Sequence, residues 1–218
     1  MSPFPQQLID GYRSFASHRL PTEQSRYRDL SVRGQSPEVM VIGCCDSRVS
    51  PEVIFDAGPG ELFVMRNVAN LVPVYAPDSG AHGVSAALEY AVNALRVKHV
   101  VVLGHAQCGG IRAFIDKIEP LSPGDFIGRW MSMFVKPGEK VEQRDHETMG
   151  QFTVRIEKAA IFRSLENLMT FPFVRTRVGG GELSLHGAYF GVAEGSLFVL
   201  DQQTKEFRSV RQMSQAGE

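Results

Sequence analysis

The sequence predicts an α/β protein with a central, mainly parallel β-sheet flanked by helices, an N-terminal helical arm and a C-terminal strand pair. Two observations carry this expectation. The runs Val39-Met40-Val41-Ile42-Gly43 and Val100-Val101-Val102-Leu103-Gly104 have the length and β-branched content of strands buried on both faces. Between them, Val84, Leu88, Ala91, Val92 and Leu95 recur as one face of a helix within Gly80 to Leu95. Strands alternating with helices favour parallel pairing, and ligand sites in such sheets lie beyond the carboxyl ends of the strands.

The remaining elements follow in chain order. Residues 4 to 30 read as one or two polar helices, with Leu8, Tyr12 and Phe15 at helical spacing and Pro21 interrupting the run. Leu62-Phe63-Val64-Met65 is a further strand, and Gly109-Gly110 opens a helix after the second buried run. From Phe126 to Leu168 the pattern is mainly helical, broken at Pro137-Gly138, and Arg155 to Leu168 has the clearest amphipathic period. After Gly179-Gly180-Gly181 come two strands, Leu183 to Val192 and Ser196 to Leu200, joined as a hairpin through Glu194-Gly195. The last ten or so residues are polar and expected to be loose. The chain is read as one domain, with an arm at 1–34, a core at 35–200 and a tail at 201–218.

Composition narrows the function. With 23 basic and 24 acidic residues among 218, the formal net charge is -1, so no global field gathers nucleic acid or an anionic membrane. A small-molecule substrate or a protein partner is the expectation. The start Met1-Ser2-Pro3-Phe4-Pro5 lacks a secretory pattern, and no apolar stretch reaches membrane-spanning length, so a soluble cytoplasmic protein is expected. Three cysteines, two adjacent at Cys44-Cys45 and one at Cys108, make a poor disulfide framework and suit a reducing compartment that retains thiols for metal or chemistry.

The chemistry concentrates at two strand ends. Cys44-Cys45-Asp46-Ser47-Arg48 follows the first buried run, and His105-Ala106-Gln107-Cys108 follows the second. Two thiolates and an imidazole suit zinc, which in catalytic sites takes three protein ligands and keeps its fourth position for water. Taken by spacing alone, the same residues also read as two buried cysteines and a core histidine. Their position at the same edge of one inferred sheet favours convergence.

Cys-x-Asp-Ser-Arg followed by Gly-His-x-x-Cys-Gly-Gly roughly sixty residues later resembles the signature of the β-class carbonic anhydrases. The likeness extends through Pro59-Gly60-Glu61-Leu62-Phe63, Arg66-Asn67-Val68-Ala69-Asn70, Glu89-Tyr90-Ala91-Val92 and Leu185-His186-Gly187, thus from Gln35 to Leu200. It implies zinc, one per chain, held by Cys44, His105 and Cys108, and an activity that interconverts carbon dioxide and bicarbonate. Asp46 and Arg48 match the family's paired acid and guanidinium. Gln35, Phe63, Val68, Tyr90 and Gly109 fall where plant-type members line the substrate pocket, with Gln35, Phe63 and Tyr90 contributed across a dimer interface. The resemblance therefore implies a homodimer as the catalytic unit, with a tetramer or larger assembly also open.

Two thiolates cancel the formal charge of zinc, so the metal should acidify water less than a three-histidine site does. Asp46, held by Arg48, is expected to compensate by accepting the proton of zinc-bound hydroxide and aiming its lone pair at carbon dioxide. Family members exist with zinc open to water or closed by the aspartate as fourth ligand, and the closed type carries a Trp on the strand before the first zinc cysteine. Here that strand reads Met40-Val41-Ile42-Gly43 and the single tryptophan is Trp130, so the open type is expected, with Asp46 a ligand only if the site closes. His82 and Tyr90 are candidate proton shuttles, whereas Ala94 stands where plant-type members carry a histidine. Cys45 replaces the usual serine and is read as a small buried residue. Two alternatives remain: hydrolysis of carbon disulfide or carbonyl sulfide on the same zinc, and a non-catalytic zinc protein serving assembly or redox sensing.

Overall fold

A computed structural model describes residues 3–136 and 139–213 of the chain, so the Pro137-Gly138 break and the last residues of the tail lie outside the described part. The residues fall into two compact units divided between Ser36 and Pro37, two positions after the expected end of the arm. In the first unit, α1 (Gln6–Ser14) runs through a π-type turn, Phe15–Arg19, into α2 (Leu20–Arg33). Pro21 does not interrupt this run. It sits at the second position of α2, directly after the π-type turn. Gly34, at φ 78°, ends α2 by donating its N–H to the Leu30 carbonyl.

The second unit is built on a six-stranded sheet of β1 (Val39–Cys44), β2 (Leu62–Asn67), β3 (His99–His105), β4 (Ser184–Gly191), β5 (Ser196–Leu200) and β6 (Phe207–Ser209). The spatial order is β2-β1-β3-β4-β5-β6. The first four strands in that order are mutually parallel, and β4-β5-β6 is antiparallel. Period-2 alternation between two covered faces explains why Val39 to Ile42 of β1 and Val100 to Leu103 of β3 are continuously apolar. Met40, Ile42, Val100 and Val102 enter one core, while Val41 and Leu103 enter the core on the opposite face.

The helices of this unit are α3 (Pro51–Ile54), α4 (Gly83–Glu89) with a π-type turn at Tyr90–Ala94, α5 (Gly109–Ile115), α6 (Phe126–Ser132), α7 (Met149–Leu168), α8 (Pro172–Gly179) and α9 (Val210–Met213). Val84, Leu88, Ile161, Leu168 and Val174 join the core on the Met40 and Ile42 face, whereas Ile54 is the helical residue in the cluster of Val41 and Leu103. A capping box starts α7: Gln151 N–H donates to the Thr148 hydroxyl, and the Thr148 N–H donates to the Gln151 side chain. Ile161 of α7 lies against Gly104 of β3 and Gly187 of β4, where an added Cβ would stand 2.8 and 2.9 Å from it. Glycine at these two points lets the helix approach the sheet.

The expected hairpin is present: β4 pairs antiparallel with β5 along one edge and parallel with β3 along the other. Two elements depart from the sequence expectation. The short helix α8, opened by Pro172, was not anticipated. The polar end is not wholly loose, because β6 adds a third antiparallel strand and α9 follows it. Among the described residues, no helix is long and apolar enough to cross a membrane.

Candidate metal centre and active site

The chain leaves β1 toward β2 on one side and reaches β3 on the other, so the carboxyl ends of β1 and β3 meet at a switch in strand order. A crevice opens at such a point, and the residues of both sequence motifs converge there. One donor atom from each of Cys44, His105 and Cys108 lies within 4.8 Å of the others, and all three residues are buried. Cys44 ends β1, His105 ends β3, and Cys108 is held before α5 by a turn in which Gln107 adopts φ 58°.

The hydrogen-bonding state of the trio specifies its chemistry. His105 Nδ1 lies 2.9 Å from the Ala106 carbonyl, a contact only an N–H can make, so Nε2 carries the free lone pair. That atom is buried and has no hydrogen-bond partner. An orphaned imidazole lone pair is costly unless something electropositive meets it. The cysteine sulfurs are 3.9 Å apart. Their first proton leaves readily, with Cys44 lowered to about 4 chiefly by a hydrogen bond from Cys108, opposed by burial and aided by His105 and the backbone of Asp46 and Ala69. The second is held, Cys108 being pushed up by its bond to the Cys44 sulfur and by burial. One thiolate, one thiol and one bare imidazole nitrogen converging in a dry site fit a zinc ion that displaces the remaining proton.

Asp46 and Arg48 stand at the rim. Arg48 Nε donates to Asp46 Oδ1 at 2.9 Å and Nη2 to Oδ2 at 2.7 Å, while the Arg48 backbone N–H adds a 3.0 Å bond to Oδ1. This clamp holds the Asp46 carboxyl well below its ordinary range, against an opposing contribution from burial. Arg48 Nη2 also donates to the Gln107 carbonyl at 3.0 Å, tying the β1 turn to the β3 turn. Asp46 Oδ2 comes within 4.0 Å of His105 Nε2.

Arg66 of β2 was legible in the sequence only as part of a motif. It donates through Nε to the Cys44 carbonyl at 2.8 Å and through Nη2 to the Asp46 carbonyl at 2.7 Å, so it fixes the turn carrying both residues. Asn67 braces the next turn, pairing its side chain with the N–H and carbonyl of Leu71 at 2.9 Å each. Within that turn Ala69 and Asn70 have φ of 64° and 49°. Ser164 of α7 secures it by donating to the Asn70 carbonyl.

The expected pocket residues are divided. Val68 packs in the same cluster as Cys44 and Cys108, and a Cβ on Gly110 would come within 2.5 Å of it. Gly109 begins α5 and is exposed. Phe63 and Tyr90 pair with ring centroids 5.9 Å apart, Phe63 packs against the other main cluster, and Tyr90 is 51% exposed. Gln35 is an exposed residue of the first unit. Cys45 is exposed rather than buried, because its side chain points away from the two inward neighbours of the extended segment. Trp130 donates its indole N–H to the Val68 carbonyl at 2.7 Å. His82 Nε2 lies 2.7 Å from Asp78 Oδ1 on the surface.

Comparison with known proteins agrees with this geometry. The family profile described as carbonic anhydrase matches residues 39–197. β-Carbonic anhydrase 5 of Arabidopsis thaliana, a chloroplastic protein, is 35% identical over 189 residues, covering 84% of this chain, which spans only 60% of that relative's length. Among solved structures, the β-carbonic anhydrase CcaA superposes with a TM-score of 0.84 at 28% identity, covering 94% of this chain and 91% of its own. A tetrameric β-carbonic anhydrase of the ascomycete Sordaria macrospora gives a TM-score of 0.74 at 27% identity, covering 89% and 95%. The signature at two adjacent strand ends, the sheet that joins them and these relatives together make the chain a member of the carbonic anhydrase family, in its β class.

Proposed function

We propose that this chain catalyses the reversible hydration of carbon dioxide to bicarbonate and a proton, with one zinc ion held by Cys44, His105 and Cys108. The observation that carries this reading is the buried three-donor trio with the Arg48-clamped Asp46 carboxylate 4.0 Å from His105 Nε2. Three protein donors leave one tetrahedral position for solvent. When bound there, zinc supplies the Lewis acidity that makes an oxygen nucleophile available near neutral pH.

Asp46 remains ionised beside Arg48 and therefore only accepts hydrogen bonds. Oδ1 is taken by Arg48 Nε and the Arg48 N–H, whereas Oδ2 receives one bond and keeps acceptor capacity. In this reading Oδ2 accepts the O–H of the attacking nucleophile and turns the opposite lone pair toward carbon dioxide. Arg48 also holds Gln107, so acceptor and Cys108 turn keep their relative position. The two-pronged Arg48 clamp on the Asp46 carboxylate supports the open type of site, with Asp46 a ligand only if the site closes.

Val68 and Gly109 line the substrate pocket from the same chain in this reading. Gln35, Phe63 and Tyr90 complete it from a second copy, which makes a homodimer the catalytic unit and permits a larger assembly. The exposed Tyr90 ring and the tetrameric Sordaria relatives support this. The whole chain then acts as one domain, and its free thiols suit the cytoplasm.

The test is stopped-flow carbon dioxide hydration at mildly alkaline pH with zinc quantified in the same sample, for wild type and Asp46→Ala. Rapid turnover with one zinc per chain, collapsing in a folded, zinc-loaded variant, is the expected result. A folded, zinc-loaded wild type that leaves carbon dioxide unhydrated would overturn it, and turnover of carbon disulfide or carbonyl sulfide would then identify the heteroallene alternative.

A further inference from the structure

One buried acid on α7 has no place in the chemistry above. Glu157 is 2% exposed and lies on a helix face shared with Ile156, Ala160 and Ile161, all buried. Among the described residues it forms no ion pair with a Lys or Arg. Burying a carboxyl group without a cation is costly, and an apolar side chain would serve packing better at this position. Its partners explain its presence. The backbone N–H of Cys108 donates to Oε1 at 3.1 Å, and the Tyr189 hydroxyl of β4 donates to Oε2 at 2.7 Å.

Cys108 follows Gln107, whose φ of 58° is an unfavourable conformation for a residue with a side chain. Such a turn persists only where its surroundings over-determine it. Arg48 grips it from the solvent side through the Gln107 carbonyl, and Glu157 grips it from the core through the Cys108 N–H. Tyr189, 5% exposed, fixes the free end of the Glu157 carboxyl.

We propose that Glu157, locked by Tyr189, is a positioning residue of the metal site: by accepting the Cys108 N–H it holds the Gln107–Cys108 turn so that the Cys108 sulfur faces Cys44 and His105. This rests on the zinc reading above. Groups that orient metal ligands at one remove change metal affinity by about 10- to 100-fold when removed.

The experiment measures zinc affinity by competition with a chromophoric chelator, together with the thiolate-to-cobalt absorption of the Co²⁺-substituted chain and a thermal melt by circular dichroism. Glu157→Ala is expected to weaken zinc binding by about 10- to 100-fold and to shift the thiolate-to-cobalt band. Glu157→Gln, whose amide oxygen still accepts the Cys108 N–H, is expected to recover most of both. Tyr189→Phe is expected to weaken binding by about 3- to 10-fold. A folded Glu157→Ala chain that holds zinc within about twofold of wild type would overturn the inference. If that variant does not fold, the same criterion passes to Tyr189→Phe. A Glu157→Gln chain as weak as Glu157→Ala would overturn the hydrogen-bond account, because charge rather than the bond would then matter. A wild type without zinc would instead overturn the metal reading, and this inference with it.

Discussion

Gly104 lies one residue before His105, and the structure predicts what a single methyl group there would do. An alanine Cβ would stand 2.8 Å from both Cδ1 and Cγ1 of Ile161, against an ordinary carbon contact of about 3.5–4.0 Å. Helix α7 or strand β3 must therefore yield by roughly 1 Å. Ile161 has no easy escape, because it is fully buried and its Cγ2 already rests over Gly187. Overpacking of this kind costs about 1–3 kcal/mol, which for a chain of this size lowers Tm by about 2–4 °C per kcal/mol. Ile161→Ala alone should cost about 2–5 kcal/mol through lost packing, but it removes both offending atoms, Cγ1 and Cδ1. The double variant should accordingly be more stable than the sum of the two single losses by at least about 0.5 kcal/mol. Urea denaturation of the four chains, all zinc-loaded, measures this coupling, and chelator competition reports whether the strand displacement reaches His105. Additivity within about 0.3 kcal/mol would refute the reasoning, since the Gly104–Ile161 contact would not then be the source of the cost.

Two further outcomes follow from the same structure. Glu147 is lowered from 4.5 to about 2, first by hydrogen bonds from Arg155 and then by the Arg144 amide. A carboxylate with a depressed folded pKa contributes stability that is complete above its unfolded value and lost as pH falls through the folded one. The stability gap between wild type and Arg155→Met should therefore narrow between about pH 4.5 and 2, and a gap unchanged from neutral pH to pH 3 would contradict this. Cys45 is exposed and outside the donor trio, so Cys45→Ser should keep one zinc per chain and alter stability by no more than about 0.5 kcal/mol, as measured by metal analysis and urea titration.

Much of the site was legible because its chemistry is local. Val39 to Cys44 and His99 to His105 announce buried strands by their β-branched runs, and reactive residues at the ends of parallel strands have few places to go but a common edge. Asp46 and Arg48 are two positions apart, so their pairing needs only one turn of backbone. The third antiparallel strand was not legible, because Phe207–Ser209 carries no pattern of its own and becomes a strand only by pairing with the edge of β5. Likewise, α8 is short and begins at a proline that also serves as a loop signal.

The sequence by itself determined the candidate metal donors, the acid-guanidinium pair and the alternation of strand and helix, because these depend on residue type and short-range patterns. Tertiary structure alone decided what supports them. Glu157, Ser164 and Asn167 lie on α7, and packing against the sheet buries all three and turns them on the backbone of Cys108, Asn70 and Val72. Which face of a long helix meets solvent depends on what the rest of the chain brings against it, and here Gly104 and Gly187 let α7 come close enough for its polar groups to hold the site.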